Sequence, residues 1–514
     1  MDKSIALAEL FRLAGVAPLS AFPTGLAVTG VVESTSDVAP GSLFVARKGE
    51  THDGHRFLAD ALRRGAHAAV VEREDLPSPG IPVIRVPDSR EALGRLCAAF
   101  HGFPSRGLLL IGVTGTDGKT TTTHLTASVL RAGGRRTAVI SSVGGQIDGD
   151  HYSTENTTPP PPLLQRLLAE ASARGNQAVV MEVSSHAVVQ RRIEGCSFQG
   201  GILTNVAADH LELHASLKEY RAAKKRFFQH YVAKSGREEP WQVLNTDDPT
   251  GRSLRSLKRV RTFLYGLGAG SLLRAEEIAC AKRRIAFRLI TPQGDARVLL
   301  PLTGSYNVPN ALAAAAAGLA CGVPLERIRE GLEAFHGVPG RFAFVECGLP
   351  FDAVIDYAHT PQAVRAVAEE GRRLTAGRLL VVFSAPGGRW VQKRAEMGRL
   401  VGERADYAVV TTDNPGREDP EDIAREIVRG LKRRPPLEGF DVELDRGRAV
   451  EAALGAARPG DLVLLLGKGH EEYQIIGEDR VPFSERETIL RYAESWKQRA
   501  RRETALKECP SGAA

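Results

Sequence analysis

The apolar run from Leu108 to Val113 (LLLIGV) leads directly into the turn TGTDGKTTT, and a helical pattern follows at once. A short apolar run that ends at turn residues is typical of a buried strand. A strand, a Gly-rich turn and a helix in this order favour phosphate binding, because backbone N–H groups and the helix N-terminus then face the anion. The segment therefore predicts an α/β layer that binds a nucleoside triphosphate at one strand end.

The turn residues have separate expected roles. Gly115 and Gly118 let the backbone approach phosphate oxygens, Lys119 reaches the β- and γ-phosphates, and the Thr120 hydroxyl binds Mg²⁺. The spacing differs from the strict GxxxxGK[ST] pattern, because Val113 stands at its first glycine position. A purely structural turn is the alternative, but GKT between a strand and a helix favours phosphate. The expected segment is Thr114, Gly115, Thr116, Asp117, Gly118, Lys119, Thr120 and Thr121.

Strand-like runs alternate with helical patterns along most of the 514 residues, which predicts an α/β fold with about three domains. Two Gly/Pro-punctuated joints, HGFPSRG and HGVPGR, divide the chain. We therefore expect domains at residues 1–104, 105–338 and 339–514.

Composition excludes several classes of protein. Hydrophobic residues are 43% and charged residues 25% of the chain, as in ordinary globular proteins. No run approaches 18 apolar residues and the start reads as a short amphipathic helix, so we expect neither a membrane span nor a signal peptide. The net charge of +7 comes without a basic run among aromatics, so we expect no nucleic-acid partner. Six scattered cysteines without a CxxC pair favour a reducing cytoplasm.

The turn TGTDGKT resembles the TGTNGKT loop of the Mur ligase family, and the resemblance extends over nearly the whole chain. It is most specific to the MurE type, which adds the third residue of the peptidoglycan stem peptide. The blocks that carry it are LFVARKGETHDGHRF, ENTTPP, MEVSSHAVVQRR, TN…DHLELH, EYRAAKKRFF, NVPNALAA, GVPGR, DYAHTP, TTDNPG and GKGHEEYQIIG. The resemblance implies a uridine-nucleotide domain, a central P-loop ATPase domain and a C-terminal Rossmann-like α/β domain that receives the amino acid.

The resemblance also implies a reaction. ATP activates the carboxylate of UDP-MurNAc-L-Ala-D-Glu as an acyl phosphate, which the amine of a diamino acid (meso-diaminopimelate, L-lysine or L-ornithine) then attacks. The expected protein is a cytoplasmic monomer of peptidoglycan synthesis with small-molecule substrates only. One alternative is a related amide ligase of the folylpolyglutamate or cyanophycin synthetase type, against which the ENTT and SSHAVVQRR blocks argue. Another is a non-catalytic nucleotide-binding homologue, which the full set Lys119, Glu182, His210 and Lys224 disfavours.

The catalytic residues follow from the same match. Glu182 ends the strand pattern AVVMEVS and His210 lies in AADHLELH, where each would help to hold one of two Mg²⁺ ions together with Thr120. Alone, either residue could be a structural hydrogen-bonding group. Lys224 matches the lysine that the family carbamylates with CO₂ to make a metal-binding carboxylate analogue. From the residues alone, a basic face of a helix is the simpler interpretation of Lys224.

The remaining expected contacts fall into three groups. Further ATP contacts are Asn310, Arg341, Asp356 and His359. The sugar nucleotide would contact Thr35, Glu50, Thr51, His52, Asn156, Thr157, Thr158, Ser184, Gln190 and Arg192. The incoming amino acid would contact Arg389, Asp413, Asn414, Gly467 and Glu471.

The chain departs from the family pattern at three places. Thr35 and Ser36 replace the Ser and Arg of a uridine-binding DSR segment. Gly388 and Trp390 stand where acidic residues are usual, and Gly416 replaces the arginine of the DNPR motif. That arginine recognises the second carboxylate of diaminopimelate, so the sequence leaves open which diamino acid is used.

Overall fold

The structure is a computed structural model. It describes residues 4–21, 23, 25–49, 52–75, 80–209, 213–268, 270–388, 390–431 and 437–508, with the backbone alone for 502–508. Within this part of the chain, no helix combines the length and apolar character that crossing a membrane requires.

The first part of the chain forms a small four-stranded parallel sheet and a separate antiparallel pair of strands. Its strands are β1 (Ile5–Ala6), β2 (Ala27–Val28), β3 (Gly30–Val32), β4 (Ser42–Val45), β5 (Ala68–Val71) and β6 (Val83–Arg85), and its helices are α1 (Leu7–Ala14), α2 (Leu58–Arg63) and α3 (Ser89–Phe100). Strands β3 to β6 pair in parallel in chain order, and β1 pairs with β2. Helix α3 starts at Ser89, after Asp88, whose carboxylate accepts the Glu91 N–H at 2.9 Å and caps the helix.

The middle of the chain forms the largest sheet. Its elements are β7 (Leu109–Thr114), α4 (Lys119–Ala132), β8 (Thr137–Ser141), β9 (Gly144–Ile147), β10 (Asp150–Tyr152), α5 (Pro161–Ala173), β11 (Ala178–Glu182), α6 (Ser185–Val189), β12 (Gly200–Leu203), α7 (Leu217–Arg226), β13 (Trp241–Asn245), α8 (Pro249–Leu254), β14 (Arg261–Tyr265), β15 (Arg274–Ala281), β16 (Arg284–Thr291), β17 (Gly294–Leu300), α9 (Asn307–Ala320) and α10 (Leu325–Glu333). The sheet order is β10-β9-β8-β11-β7-β12-β13-β14, parallel except at β9 and β10. Strands β15 to β17 form a separate antiparallel sheet.

The last part of the chain forms a third α/β layer. Its elements are β18 (Ala343–Phe344), β19 (Asp352–Asp356), α11 (Pro361–Leu374), β20 (Leu379–Phe383), α12 (Lys393–Gly402), β21 (Tyr407–Val410), α13 (Pro420–Leu431), β22 (Gly439–Val442), α14 (Arg446–Ala456), β23 (Leu462–Leu466), β24 (Tyr473–Ile476), β25 (Asp479–Pro482) and α15 (Glu485–Glu508). The six-stranded order is β18-β19-β23-β20-β21-β22, and β24 pairs with β25. The α/β prediction is confirmed, whereas the exact domain boundaries stay predictions.

Parallel pairing determines where the functional side chains meet. Strands β8, β11, β7 and β12 are neighbours in one sheet, so their carboxyl ends lie along one edge. The same holds for β19, β23, β20 and β21 in the third layer. Ligands of open α/β sheets bind outside such edges. Most of the predicted residues lie at or just after these strand ends, including Thr114, Glu182, Asp356 and Gly467.

Candidate functional site

The predicted phosphate loop forms as expected between β7 and α4. A Cβ on Gly115 would lie 1.8 Å from Thr204 Oγ1, and one on Gly118 (φ +80°) would lie 2.3 Å from Asn310 Oδ1, so neither position accepts a side chain. The Lys119 ammonium donates to the carbonyls of Thr116 at 2.8 Å and Gly115 at 3.2 Å. The α4 N-terminus thus presents backbone N–H groups and a cation on one side of a cavity.

That cavity, of about 590 Å³, contains most of the predicted site. Its predicted lining residues are Thr116, Asp117, Gly118, Lys119, Thr120, Thr121, Asn156, Thr157, Glu182, Ser184, Arg192, Asn310, Arg341, Asp356, His359, Asp413, Asn414, Gly467 and Glu471. Thr114 and Thr158 are completely buried behind its wall. Residues from two layers of the fold therefore line the same cavity.

A second cavity, of about 1070 Å³, opens beside the first. Among the predicted sugar-nucleotide contacts, Thr35, His52, Asn156, Gln190 and Arg192 line it. Glu155, Asn156 and Arg192 belong to both walls. A molecule in the second cavity can therefore reach into the first. Glu50 and Thr51 lie outside the described residues.

Glu182 is fully buried, yet its carboxylate faces the first cavity. The backbone N–H of Ser142 donates to Oε1 at 2.8 Å, and the Ser142 hydroxyl donates to Oε2 at 3.2 Å. The Thr158 hydroxyl donates to the Glu182 carbonyl at 2.9 Å. These bonds fix a carboxylate whose burial would otherwise be costly.

The cavity wall near Glu182 offers the oxygen donors that Mg²⁺ prefers. Thr120 presents a hydroxyl there, and Asp117 has a buried Oδ2 without a hydrogen-bond partner among the described residues. This donor set fits a magnesium ion. His210, the other predicted ligand, lies outside the described residues.

Lys224 does not line the cavity but lies directly behind the phosphate loop. Its side chain is completely buried, its Nζ donates to the Gly115 carbonyl at 2.6 Å, and it lies 4.4 Å from the centre of the Tyr220 ring. Burial, reinforced by the nearby Lys119 charge, lowers the pKa of Lys224 well below its usual range. The structure thus places this lysine away from solvent, where burial disfavours its charged form.

Several contacts join the third layer to the phosphate loop. Arg341 donates to the Thr120 hydroxyl at 2.9 Å, and its guanidinium stacks 4.6 Å from the Tyr357 ring centre. Asp356 accepts the N–H groups of Phe342 and Ala358, and burial raises its pKa to about 6. Arg341 therefore already lies where it can bind a phosphate.

The predicted acceptor residues form a connected network. Glu471 accepts from Lys468 Nζ at 2.6 Å, Asn414 Nδ2 at 2.9 Å and the Tyr357 hydroxyl at 3.2 Å. Burial opposes its ionisation, but the cation Lys468 and these donors lower its pKa overall. A carboxylate held ionised at the cavity wall can bind an ammonium group.

Gly416 lines the same cavity in a left-handed conformation (φ +57°). Arg417, which could have substituted for the missing arginine, is largely exposed and pairs with Glu478 outside the cavity lining. Arg389 lies outside the described residues. Among the described residues, the segment that replaces the DNPR motif therefore contributes no cation to the cavity lining.

Sequence reasoning missed several residues that line the cavities or support their walls. Ser142 holds Glu182, and Lys468 holds Glu471. Arg47 and Arg166 add positive charge to the second cavity. Ser142 directly follows a strand next to β11, so the strand-end rule could have found it, whereas no local signal marks the two arginines.

Three family models match the chain over most of its length. They are described as "Mur ligase family, catalytic domain" over residues 28–101, "Mur ligase middle domain" over 113–318, and "Mur ligase, glutamate ligase domain" over 340–469. A protein of Geobacillus thermodenitrificans is 42% identical over 451 residues, covering 87% of this chain and 91% of that protein.

The chain belongs to the Mur ligase family. The Geobacillus protein is named UDP-N-acetylmuramoyl-L-alanyl-D-glutamate--2,6-diaminopimelate ligase. A protein of Thermosynechococcus vestitus with the same name is 40% identical, covering 94% of this Mur ligase and 96% of its own length.

Solved structures agree with this assignment. A structure titled with the same ligase name has a TM-score of 0.65 at 27% identity and covers 96% of this chain and 100% of its own. MurF from Acinetobacter baumannii, at 23% identity, has a TM-score of 0.67, covers 93% of this chain and 96% of its own, and supports the fold alone. The predicted three-domain Mur ligase architecture is confirmed.

Proposed function

We propose that this Mur ligase uses ATP to join a diamino acid to UDP-MurNAc-L-Ala-D-Glu, forming a peptidoglycan precursor. The observation that carries the proposal is the single cavity where the phosphate loop, Glu182, Arg341 and Glu471 meet. The adjoining larger cavity, which shares Asn156 and Arg192, suits the sugar nucleotide. The names of the related proteins supply the substrate pair.

The residues divide the chemistry between them. The α4 N-terminus and Lys119 hold the triphosphate, and Arg341 approaches it from the third layer. The peptide carboxylate attacks the γ-phosphorus, which releases ADP and forms an acyl phosphate. The acceptor amine then attacks the acyl carbon and phosphate departs. Glu471 binds the ammonium group of the acceptor and so orients it, and closure of the third layer over the cavity would keep water from the acyl phosphate.

Glu182 and Thr120, together with His210 and a carbamylated Lys224, would hold magnesium. Bound there, magnesium supplies charge neutralisation for the phosphoryl groups. Carbamylation needs an unprotonated amine: its nitrogen attacks CO₂, a C–N bond forms and one proton leaves. The burial and lowered pKa of Lys224 support this modification.

The acceptor is a diamino acid, with diaminopimelate, L-lysine and L-ornithine as the three candidates. Diaminopimelate is supported by the names of the related proteins. Gly416 offers no side chain for its second carboxylate, which makes the monocarboxylic diamino acids competitive.

We also propose that the protein acts as a monomer in the cytoplasm. The described cysteines Cys97, Cys196, Cys280, Cys321 and Cys347 are free thiols, which supports a reducing compartment. Multi-angle light scattering of the purified protein would test the monomer.

A mass-detected ligation assay tests the proposed function. Purified protein receives ATP, Mg²⁺ and UDP-MurNAc-L-Ala-D-Glu with each candidate at equal concentration, and glycine and L-alanine serve as amines without a second amino group. We expect a condensation product with at least one diamino acid and none with the Lys119→Ala variant. Efficient use of glycine or alanine with all three diamino acids rejected would contradict the proposal. ATP binding without any ligation would favour the non-catalytic alternative.

A further inference from the structure

Ser142 is the residue that holds the buried Glu182 carboxylate. It follows β8 directly, and β8 is the parallel neighbour of β11, which ends at Glu182. Its N–H contacts one carboxylate oxygen at 2.8 Å and its hydroxyl contacts the other at 3.2 Å. A shift of this one residue would therefore change the orientation of the whole carboxylate.

The carbonyl of Ser142 contacts the third layer of the fold. His470 Nε2 lies 2.8 Å from that oxygen, although the two residues are 328 positions apart. A carbonyl can only accept, so Nε2 carries the hydrogen and donates. The bond directly links a loop of the third layer to the residue that orients Glu182.

His470 itself is firmly positioned. Its ring packs 5.2 Å from the Tyr357 ring centre. A Cβ on Gly340 would lie 2.3 Å from both Gly469 C and His470 N, so the two backbone segments touch without room for a side chain. His470 therefore moves with the backbone at the joint between the central and third layers.

The residue after His470 belongs to the acceptor site. Glu471 lines the cavity within the network of Lys468, Asn414 and Tyr357. Two consecutive residues thus serve both sites: Glu471 faces the incoming amine, and His470 contacts Ser142, the residue that holds Glu182. When this loop docks on the central layer, His470 and Glu471 are therefore positioned together.

We propose that His470 and Ser142 are positioning residues that couple docking of the acceptor-binding layer to the orientation of the Glu182 carboxylate. The inference rests on the proposed function, in which Glu182 holds magnesium. Without the His470 bond the Ser142 loop loses this contact with the third layer, and Glu182 is held less firmly for magnesium. Activation of the peptide carboxylate is then efficient only when the acceptor site is assembled, which limits loss of the acyl phosphate to water.

The test compares three substitutions at His470. His470→Ala removes the donor, His470→Gln retains an N–H donor at about the reach of Nε2, and His470→Asn is too short to reach. The readouts are the Mg²⁺ dissociation constant with a non-hydrolysable ATP analogue, measured by calorimetry, and kcat and KM for the acceptor.

The loss of one hydrogen bond changes a binding constant or a rate constant by about two- to tenfold. We expect His470→Ala and His470→Asn to weaken Mg²⁺ binding and lower kcat by about tenfold, with the acceptor KM nearly unchanged. His470→Gln should restore both values to within about threefold of the wild type. Ser142→Ala keeps the N–H bond and loses only the hydroxyl, so it should show a smaller effect of the same kind.

Asp352→Asn is the matched control. Lys282 Nζ and Asp352 Oδ2 form another contact between the layers at 2.6 Å, on the surface and away from Glu182. This variant should leave Mg²⁺ binding and kcat unchanged. An equal effect of Asp352→Asn would mean that general docking, not the His470 bond, matters, and would overturn the coupling.

The proposal is also overturned if His470→Gln behaves like His470→Ala, or if His470→Ala changes only the acceptor KM. Should His470→Ala fail to fold, His470→Gln and Ser142→Ala decide the question. If the wild type is active and Mg²⁺ binding is unaltered in all variants, the coupling is wrong but the proposed function stands. If the wild type binds Mg²⁺ and nucleotide but makes no product, the proposed function itself is wrong.

Discussion

At the scale of single residues, Lys224 shows how burial changes the meaning of a sequence. The sequence KKR at 224–226 indicates the basic surface of a helix, and only the resemblance to the Mur ligase family predicts a modified lysine there. The structure buries Lys224 completely and leaves Lys225 partly exposed. Burial depends on which helix face meets the sheet, so the chemical difference between adjacent lysines is not visible in the local sequence.

Lys224→Ala should remove most of the ligation activity, by about 100-fold or more, since the proposed carbamate would supply a preorganised charge for magnesium and that charge is lost. Added formate or acetate should partly restore it by occupying the vacated space. Ligation rates with and without these acids check the prediction. Lys225→Ala is the control and should be nearly normal. Equal loss in both variants, or an active Lys224→Ala enzyme, would argue against a carbamylated Lys224.

Gly416→Arg should shift acceptor preference towards diaminopimelate. A Cβ at Gly416 meets nothing within 4 Å, so the first side-chain atom has space, although the left-handed backbone costs about 1–2 kcal/mol. A charged hydrogen bond to the second carboxylate contributes about 1.5–3 kcal/mol. The ratio of kcat/KM for diaminopimelate over lysine should rise by about tenfold or more.

Gly477→Arg is the matched control for that substitution. Gly477 also has a positive φ and open space around it, but it is exposed and does not line the cavity. Its variant should leave the ratio unchanged. A ratio that rises equally in both variants, or in neither, would contradict the assigned role of position 416.

The residues that the sequence did not reveal share one property. Ser142 and His470 act through backbone atoms or neighbours far along the chain, so neither has a motif of its own for that role. Residues such as Lys119 and Glu182 were predictable because their strand ends and turns are local features. Their placement around one cavity agrees with that reading, while their individual roles stay predictions.

At the scale of elements, the strand, turn and helix around the phosphate loop could be read because they are contiguous. The antiparallel sheet β15 to β17 was not anticipated. Its middle strand alternates buried and partly exposed residues, with Ile285, Phe287 and Leu289 inward. This alternation is visible in the sequence, but the runs of a parallel α/β fold surround it and do not indicate a separate sheet made of hairpins.

Helix α4 contains a buried histidine that should make stability depend on pH. Burial lowers the pKa of His124 to about 4, and its Nε2 lies 3.1 Å from Ser141 Oγ. An unfolded histidine titrates near 6.5. The neutral ring therefore contributes fully to the free energy of unfolding above about pH 6.5, and this contribution is lost as the pH falls towards 4. At pH 5 the loss amounts to about 2 kcal/mol.

Urea unfolding at pH 7.5 and pH 5 measures this effect. Wild type should lose about 2 kcal/mol more than His124→Gln between the two conditions. His151→Gln, at an exposed position on β10, should behave like wild type. An identical pH dependence in wild type and His124→Gln would contradict the buried neutral histidine.

At the scale of the whole molecule, polar contacts join the central and third layers at several places. Thr360 Oγ1 lies 3.4 Å from Asp117 Oδ1, Arg341 contacts Thr120, and Lys282 pairs with Asp352. Polar contacts of this kind between domains are compatible with relative motion, so we expect the third layer to move. Small-angle scattering should therefore show a smaller radius of gyration with ATP analogue and sugar nucleotide bound than without them. Arg341→Ala should reduce that compaction, and an unchanged radius in the wild type would rule out closure.

In the proposed reaction, ATP activates the peptide carboxylate as an acyl phosphate. Isotope transfer measures this directly. UDP-MurNAc-L-Ala-D-Glu with ¹⁸O at both oxygens of the reacting carboxylate is ligated to the accepted diamino acid, and the released phosphate is analysed by mass spectrometry. The account predicts one ¹⁸O in each phosphate released and one retained in the new amide. Phosphate without ¹⁸O alongside ligated product would contradict it.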